Sequence, residues 1–303
     1  MSRPDFTGVI PAVVTPFTAD EAVDYESLRT QLEGLAAGGC HGAMLFGFAG
    51  EFYKLTDDER EEIVRVAVDA ASEVDLPLYA SVTDQATSVA VDRARRFEDL
   101  GVDGLMGLPP FVVDPGADDL YAHIERIGEA VSVPVMVQYA PDNTGVHVAP
   151  ETFVELSEDV PNVNRYKIEC TPTGPYVTDL LEAAPEGIEV VVGNGGQRLI
   201  DALDRGATGV IPGGGVHEVY VELLERYERG DRDGARELHA ELLPFLGHIG
   251  EAGLESFIRY EKRVLAERGL IDGTASRAPA AEGDERADRL FEELAEPLLE
   301  RCR

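Results

Sequence analysis

A short apolar run followed by an amphipathic helical pattern recurs along most of this chain, and no other feature restricts its fold as strongly. The first run, Val9–Val14, precedes leucines at helical spacing between Asp24 and Ala37. Further runs lie at Ala43–Phe46, Leu78–Val82, Gly104–Leu108, Val135–Tyr139, Arg165–Ile168, Glu189–Val192 and Gly209–Pro212. Parallel strands are buried on both faces and need helical crossovers, which gives this pattern. The sequence therefore predicts an α/β fold, a (β/α)8 TIM barrel, with an open doubly wound sheet as the alternative.

The length of 303 residues suits one such barrel, because a single barrel domain can be longer than an ordinary domain. Helix starts are marked by capping residues before acidic first turns, as in Thr56-Asp57-Asp58-Glu59. After the eighth unit come helical patterns at about 231–245 and 247–268, and a final amphipathic segment. We therefore predict a catalytic barrel at 1–230 and a C-terminal helical region, packed on the barrel, at 231–303.

The charge of the chain excludes several classes of partner. Fifty-eight acidic residues against 26 basic ones give a formal net charge of −32, which repels nucleic acid and anionic membranes. No run of 18 apolar residues and no N-terminal signal segment occurs, so we expect a soluble cytoplasmic protein. Dispersed acidity with few lysines is typical of organisms with high internal salt.

The cysteines and histidines give no sign of a metal centre. Cys40, Cys170 and Cys302 are scattered, and neither they nor the six histidines have metal-ligand spacing. We expect reduced thiols and no bound metal.

Lys167 is the first candidate for chemistry. It is one of three lysines, with Lys54 and Lys262, and it lies where the sixth apolar run ends. Catalytic groups of β/α barrels come from such strand ends. Burial disfavours an ammonium, and a neutral lysine amine can attack a carbonyl to form an iminium. The alternative is a structural ion pair with a carboxylate such as Glu51 or Glu169.

The end of the second run, Gly47-Phe48-Ala49-Gly50-Glu51, is a glycine-flanked turn. Exposed backbone N–H groups in such a turn can bind the carboxylate of a substrate, although a plain tight turn has the same residues.

Four segments together resemble the dihydrodipicolinate synthase/N-acetylneuraminate lyase family: Pro11–Phe17, Gly47–Glu51 with Leu55-Thr56, Pro141 with Thr144-Gly145, and Lys167–Glu169. Their order and spacing match over roughly residues 6–215. The resemblance implies a β/α barrel, commonly a homotetramer, in which Lys167 condenses with pyruvate or another small-molecule 2-oxo acid. It implies neither a metal nor an organic cofactor.

The chain also departs from the family pattern. Phe48 and Ala49 stand where two threonines are usual, Gln138 stands at the catalytic tyrosine, and Asn143 at an arginine that holds a dicarboxylate. Gln138 can bind a hydroxyl group but cannot transfer a proton. The neighbouring Tyr139 points the other way unless a bulge intervenes, so water, Glu51 or a shifted Tyr139 would carry the proton. The predicted catalytic residues are Lys167, Gln138 and Tyr139, and the predicted substrate-binding residues are Gly47, Phe48, Ala49, Glu51, Asn143, Gly193 and Ile211.

These departures weigh against dihydrodipicolinate synthesis, which stays the alternative function. They favour a Schiff-base lyase for a 2-keto-3-deoxy sugar acid, a dehydratase rather than an aldolase. Glycine loops at Gly193–Gly196 and Gly213–Gly215 leave a phosphorylated substrate open. A barrel that binds a sugar acid or regulates a partner without catalysis is the hypothesis from another class.

Overall fold

The computed structural model of this chain describes residues 6–112 and 115–302. Within them, short strands alternate with helices along the chain. The strands are β1 (Gly8–Val9), β2 (Ala43–Leu45), β3 (Leu78–Ser81), β4 (Gly104–Gly107), β5 (Val135–Tyr139), β6 (Val163–Ile168), β7 (Glu189–Val192) and β8 (Gly209–Val210). The α-helices are α1 (Tyr25–Ala37), α2 (Asp57–Glu73), α3 (Thr87–Leu100), α4 (Ala117–Glu129), α5 (Pro141–Thr144), α6 (Pro150–Asp159), α7 (Thr173–Ala183), α8 (Leu199–Asp204), α9 (His217–Glu228), α10 (Arg232–Gly250), α11 (Leu254–Glu267) and α12 (Glu285–Arg301).

This succession confirms the predicted fold class, a (β/α)8 barrel with a C-terminal helical region. Contacts divide the chain into two compact units. The first contains Pro77–Ile211 with the segment that ends at Thr7, and the second contains Gly8–Leu76 with the chain from Pro212 onward. The domain boundary predicted at residue 230 stays a prediction.

In the first unit, six parallel strands are hydrogen-bonded in the order β8-β7-β6-β5-β4-β3. Every residue of β3, β4 and β5 is buried, which is why these strands form uninterrupted apolar runs in the sequence. The register between β5 and β6 shifts by one residue at Asn164: Val135 pairs with Val163, whereas Met136 pairs with Arg165. This irregularity aligns Gln138 with Lys167.

In the second unit, Ala12 forms parallel bridges to Met44 and to Gly213. Regular pairing of the first predicted strand ends at Val9, because Pro11 has no N–H group to continue a ladder. Helix α2 starts as predicted, with a capping box in which Thr56 and Glu59 satisfy each other's backbone N–H groups. Helix α10 packs against α9, α11 and α12.

No helix in the described part of the chain is long and apolar enough to cross a membrane.

Candidate active site

Lys167 is the penultimate residue of β6, and only 6% of its surface is exposed. It is paired with Gln138 on β5 and with Val191 on β7 in one row across the sheet. Its Nζ lies 3.1 Å from Oε1 of Glu169, two residues further along the chain. Residues two apart on an extended strand project to the same side, so the lysine and the carboxylate meet without a special turn.

Glu169 is the centre of this site. Its Oε1 meets Lys167 and accepts a hydrogen bond from the backbone N–H of Asn194 at 3.0 Å. Its Oε2 accepts a hydrogen bond from Nε2 of Gln138 at 2.5 Å. The side chains of Lys167, Gln138 and Glu169 are all buried. Three donors from three different strand ends therefore fix this carboxylate beside the amine. We refer to Lys167, Glu169, Gln138 and Asn194 as the lysine cluster.

Gly193, predicted to bind substrate, provides the space for Glu169. A Cβ atom at this position would stand 1.9 Å from Oε1 of Glu169, which is far inside van der Waals contact. The Glu169 carboxylate leaves no room for a Cβ atom, and this is why a glycine is required here. The φ angle of −103° is open to any residue and is not the reason.

Replacing Gly193 with alanine is expected to displace Glu169 and to lower turnover about tenfold to a hundredfold, the loss typical of a misplaced reacting group. Steady-state kinetics on the purified variant would measure this loss. Gly116 is the matched control, since its added Cβ meets no atom within 4 Å. Equal activity of both alanine variants would contradict a requirement for Glu169 in its observed position.

Tyr139, predicted as a proton carrier, points away from the lysine cluster. It shares its row with Ile168 and not with Lys167. Its hydroxyl donates to the carbonyl oxygen of Val148 at 3.2 Å and accepts from the N–H of the same residue. Its ring stacks on Tyr176, with 4.7 Å between centroids, and burial raises the pKa of its hydroxyl. These contacts pack Tyr139 against Val148 and Tyr176, and its role as a proton carrier stays a prediction.

Two other predicted residues lie apart from the lysine cluster. Asn143 is exposed on α5, and its backbone N–H donates to the carbonyl of Ala140. Ile211 is buried, and its N–H continues the ladder by donating to Val192. Their roles in substrate binding stay predictions.

A cleft of about 290 Å³ opens between the loops that follow β6 and β7. Gly193 and Asn194 line it, together with Thr173, Gln197 and Arg198. Lys167, Glu169 and Gln138 do not line this cleft, so it borders the lysine cluster only through Gly193 and Asn194.

The turn predicted to bind a substrate carboxylate belongs to the second unit. Phe48–Gly50 form one turn of 3₁₀ helix, and the left-handed Glu51, with φ of 52°, ends it. The Thr15 hydroxyl donates to the carbonyl oxygen of Gly50 at 2.6 Å. Glu51 is fully buried and accepts from Lys54 at 2.9 Å and from Lys262. Binding of a carboxylate by this turn stays a prediction.

The cysteines offer no competing nucleophile. Burial raises the pKa of Cys170 to about 11 and that of Cys302 to about 12, which leaves little thiolate at neutral pH. In residues 6–112 and 115–302, no group of three or more His, Cys, Asp or Glu side chains could hold a metal ion.

The sequence predicts no chemical role for Glu169 or Asn194. It predicts Glu169 only as an ion-pair partner of Lys167. Its position two residues after the lysine, directly beyond the end of β6, was the available signal, because side chains two residues apart in extended backbone project to the same side. Asn194 contacts the Glu169 carboxylate through its backbone N–H, and such a contact cannot be predicted from the residue type.

A buried lysine beside a carboxylate at the end of a parallel strand, in an α/β fold, is the arrangement expected of enzymes that act through a lysine Schiff base. The chain belongs to the dihydrodipicolinate synthetase family, whose model matches residues 5–297. It is therefore a lyase of the Schiff-base type, as predicted.

Curated relatives bear a common name. The chain is 32% identical to a 4-hydroxy-tetrahydrodipicolinate synthase of Salinibacter ruber over 79% of each protein. It is also 32% identical to the synthase of Natronomonas pharaonis, over 80% of this chain and 82% of that protein. These names match the alternative function of the sequence analysis and not its preferred one.

Solved structures agree with the fold over nearly the whole chain. A dihydrodipicolinate synthase from Thermotoga maritima has a TM-score of 0.88 at 26% identity and covers 97% of this chain and 98% of its own. A dihydrodipicolinate synthase variant described as monomeric also reaches 0.88, at 26% identity, with 96% of each chain covered. The homotetramer stays a prediction.

Proposed function

We propose that Lys167 condenses with the carbonyl of a 2-keto-3-deoxy sugar acid and that Glu169 transfers the protons of a dehydration that follows. The observation that carries this proposal is the position of the Glu169 carboxylate, 3.1 Å from the lysine Nζ and held by two further donors. It replaces the tyrosine that the family pattern has where Gln138 stands.

The first step uses the ion pair itself. Glu169 accepts a proton from the Lys167 ammonium, and the freed amine attacks C2 of the 2-oxo acid. The resulting carbinolamine loses its hydroxyl group as water, with a proton from Glu169, to give the iminium. The carboxylate then stands free to act again.

The second step breaks a C–O bond. The iminium acidifies C3, which is separated from the nitrogen by C2 alone, so a carboxylate beside the nitrogen is close to the C3 proton. Glu169 removes that proton, and the enamine expels the C4 hydroxyl as water with the proton returned by Glu169. Hydrolysis of the new iminium releases a 2-oxo product that has lost one water and frees Lys167.

Gln138 acts as a positioning residue in this scheme. Its amide cannot donate a proton to a leaving group at neutral pH, but its Nε2 holds Oε2 of Glu169. Aldol cleavage begins from the same iminium and needs a base at the C4 hydroxyl, which is the group that dehydration protonates. Gln138 stands where the family pattern has the tyrosine that serves this hydroxyl, and it cannot act as that base, which supports dehydration.

The second candidate is 4-hydroxy-tetrahydrodipicolinate synthesis. The names of the curated relatives support it more directly than they support a sugar acid. The side chains of this chain support the sugar acid, because Asn143, Gln138 and the pair Phe48-Ala49 replace the residues that the family pattern assigns to the synthase. We base the proposal on these side chains, since they stand at the positions that the family pattern assigns to catalysis and to binding of the dicarboxylate.

A substrate panel separates the candidates. We expect C5 or C6 2-keto-3-deoxy acids to be consumed with release of a dehydrated 2-oxo product, measured by mass spectrometry, and without pyruvate. Pyruvate as the product would assign aldol cleavage. A positive coupled assay for 4-hydroxy-tetrahydrodipicolinate, with all sugar acids inert, would replace the proposal by the second candidate.

A further inference from the structure

Asn194 contacts Glu169 at two separate places. Its backbone N–H donates to Oε1 of the carboxylate at 3.0 Å, and its side-chain Nδ2 donates to the backbone carbonyl oxygen of Glu169 at 3.1 Å. The second contact needs the amide nitrogen, because a carbonyl oxygen accepts hydrogen bonds and cannot donate them. One residue of the loop after β7 therefore holds both the carboxylate and the main chain of Glu169.

The main chain of Glu169 lies beyond the regular pairing of β6 with β7, whose last pair is Ile168 with Val192. On the β5 side, the N–H of Glu169 donates to the carbonyl oxygen of Tyr139 at 2.8 Å. On the β7 side, the carbonyl oxygen of Glu169 accepts from the side chain of Asn194. A buried carbonyl needs such a donor, so a side chain here takes the place of a strand.

The backbone conformation of Asn194 restricts which residues fit this position. Its φ of 50° lies in the left-handed region, and Gly195 and Gly196 follow with φ of 63° and 74°. Glycine and asparagine are the residues that adopt this conformation most readily. A third glycine would satisfy the conformation alone, whereas it would not supply the amide donor.

We infer that the side-chain amide of Asn194 is a positioning group for proton transfer: it fixes the main chain of Glu169 and so keeps the carboxylate beside the atoms bonded to Lys167. The inference rests on the proposed function, in which Glu169 transfers the protons. All of these residues lie in the first unit. Asn194 transfers no proton itself, because an amide is neither an acid nor a base at neutral pH.

Replacing Asn194 with glycine removes the amide donor and keeps the turn. The backbone N–H that donates to Oε1 of Glu169 remains, and glycine adopts a φ of 50° without strain. We expect the turnover number for the preferred 2-keto-3-deoxy acid to fall about tenfold to a hundredfold, the loss typical of a reacting group displaced by about 1 Å. The thermal midpoint and the saturating amount of pyruvate adduct trapped by borohydride should stay at wild-type values, because Lys167 is unchanged.

A double-mutant cycle with Glu169→Gln shows whether Asn194 acts through Glu169. Substitutions that act through one group are not additive, because the second finds no further effect to remove. We expect the double variant Asn194→Gly with Glu169→Gln to turn over at the rate of Glu169→Gln alone. A merely structural loss would multiply the two single effects.

Asn162→Gly is the matched control for loss of an asparagine amide in the first unit. Asn162 directly precedes β6, at the opposite end of the strand from Lys167. Its Nδ2 donates to the carbonyl oxygens of Gly128, Val131 and Val133 at 3.0, 3.2 and 3.1 Å. We expect a lower thermal midpoint, with wild-type turnover at temperatures below the unfolding transition.

The outcomes are distinct. Wild-type turnover in Asn194→Gly, multiplied losses in the double variant, or an equal loss in Asn162→Gly would overturn the positioning role and leave the proposed function intact. Wild-type turnover in Glu169→Gln, or a wild-type protein that consumes no 2-keto-3-deoxy acid, would overturn the proposed function and the inference together.

Discussion

Replacing Lys167 with arginine is expected to abolish the borohydride-reducible adduct and to lower turnover by roughly 10⁴-fold or more, the loss that follows removal of a covalent nucleophile. A guanidinium keeps the positive charge and can still pair with Glu169, which lies 3.1 Å from the present Nζ. It stays protonated and cannot attack a carbonyl. The substitution therefore removes the nucleophile while it preserves the ion pair.

The same variant decides between the two readings of this lysine. If Lys167 were only a structural partner of Glu169, arginine would support near wild-type turnover. Peptide mapping of the wild-type adduct provides the control, because Lys54 and Lys262 are the only other lysines in the sequence. Both are buried against Glu51, so an adduct on either of them would contradict the assignment of Lys167.

The rarity of lysine carried less information than its position. Lysine is rare in this chain, but rarity does not distinguish Lys167, because the side chains of Lys54 and Lys262 are buried as well. What distinguishes Lys167 is its place at the end of a parallel strand, and that place followed from the apolar run alone. The β/α order was predictable for the same reason, since burial on both faces leaves a continuous apolar signature in each strand.

The partners of Lys167 could not be predicted from periodicity. The alignment of Gln138 with Lys167 depends on the extra residue at Asn164, without which Gln138 would lie opposite Tyr166. A bulge shifts the pairing of the following side chains by one position. The residue types in the segment Val163–Arg165 do not predict it. Tyr139 needs a bulge to point inward, whereas the observed bulge brings Gln138 beside the lysine.

Replacing Glu169 with glutamine is expected to separate the covalent step from the elimination. We expect turnover of the preferred sugar acid to fall about 10²-fold to 10⁴-fold, the range for loss of a general acid–base group. Pyruvate should still form a reducible adduct on Lys167, more slowly but to the same final extent. The amide oxygen can accept from the N–H of Asn194, as Oε1 of Glu169 now does. The new amide nitrogen would face Nε2 of Gln138, so that side chain must rotate by half a turn to offer its oxygen.

Glu189→Gln tests whether loss of any paired carboxylate has the same effect. Glu189 is partly buried and lies 3.1 Å from Nε of Arg165, so it is also a paired carboxylate of the first unit. It is the first residue of β7, whereas Glu169 follows the last residue of β6. We expect little change in the turnover of Glu189→Gln and no change in the amount of its adduct.

Wild-type turnover in Glu169→Gln would show that water or another group carries the protons. Loss of both adduct and turnover in Glu169→Gln would limit Glu169 to activating Lys167. If Glu169→Gln loses turnover but keeps the adduct, Glu169 acts in proton transfer after the iminium has formed.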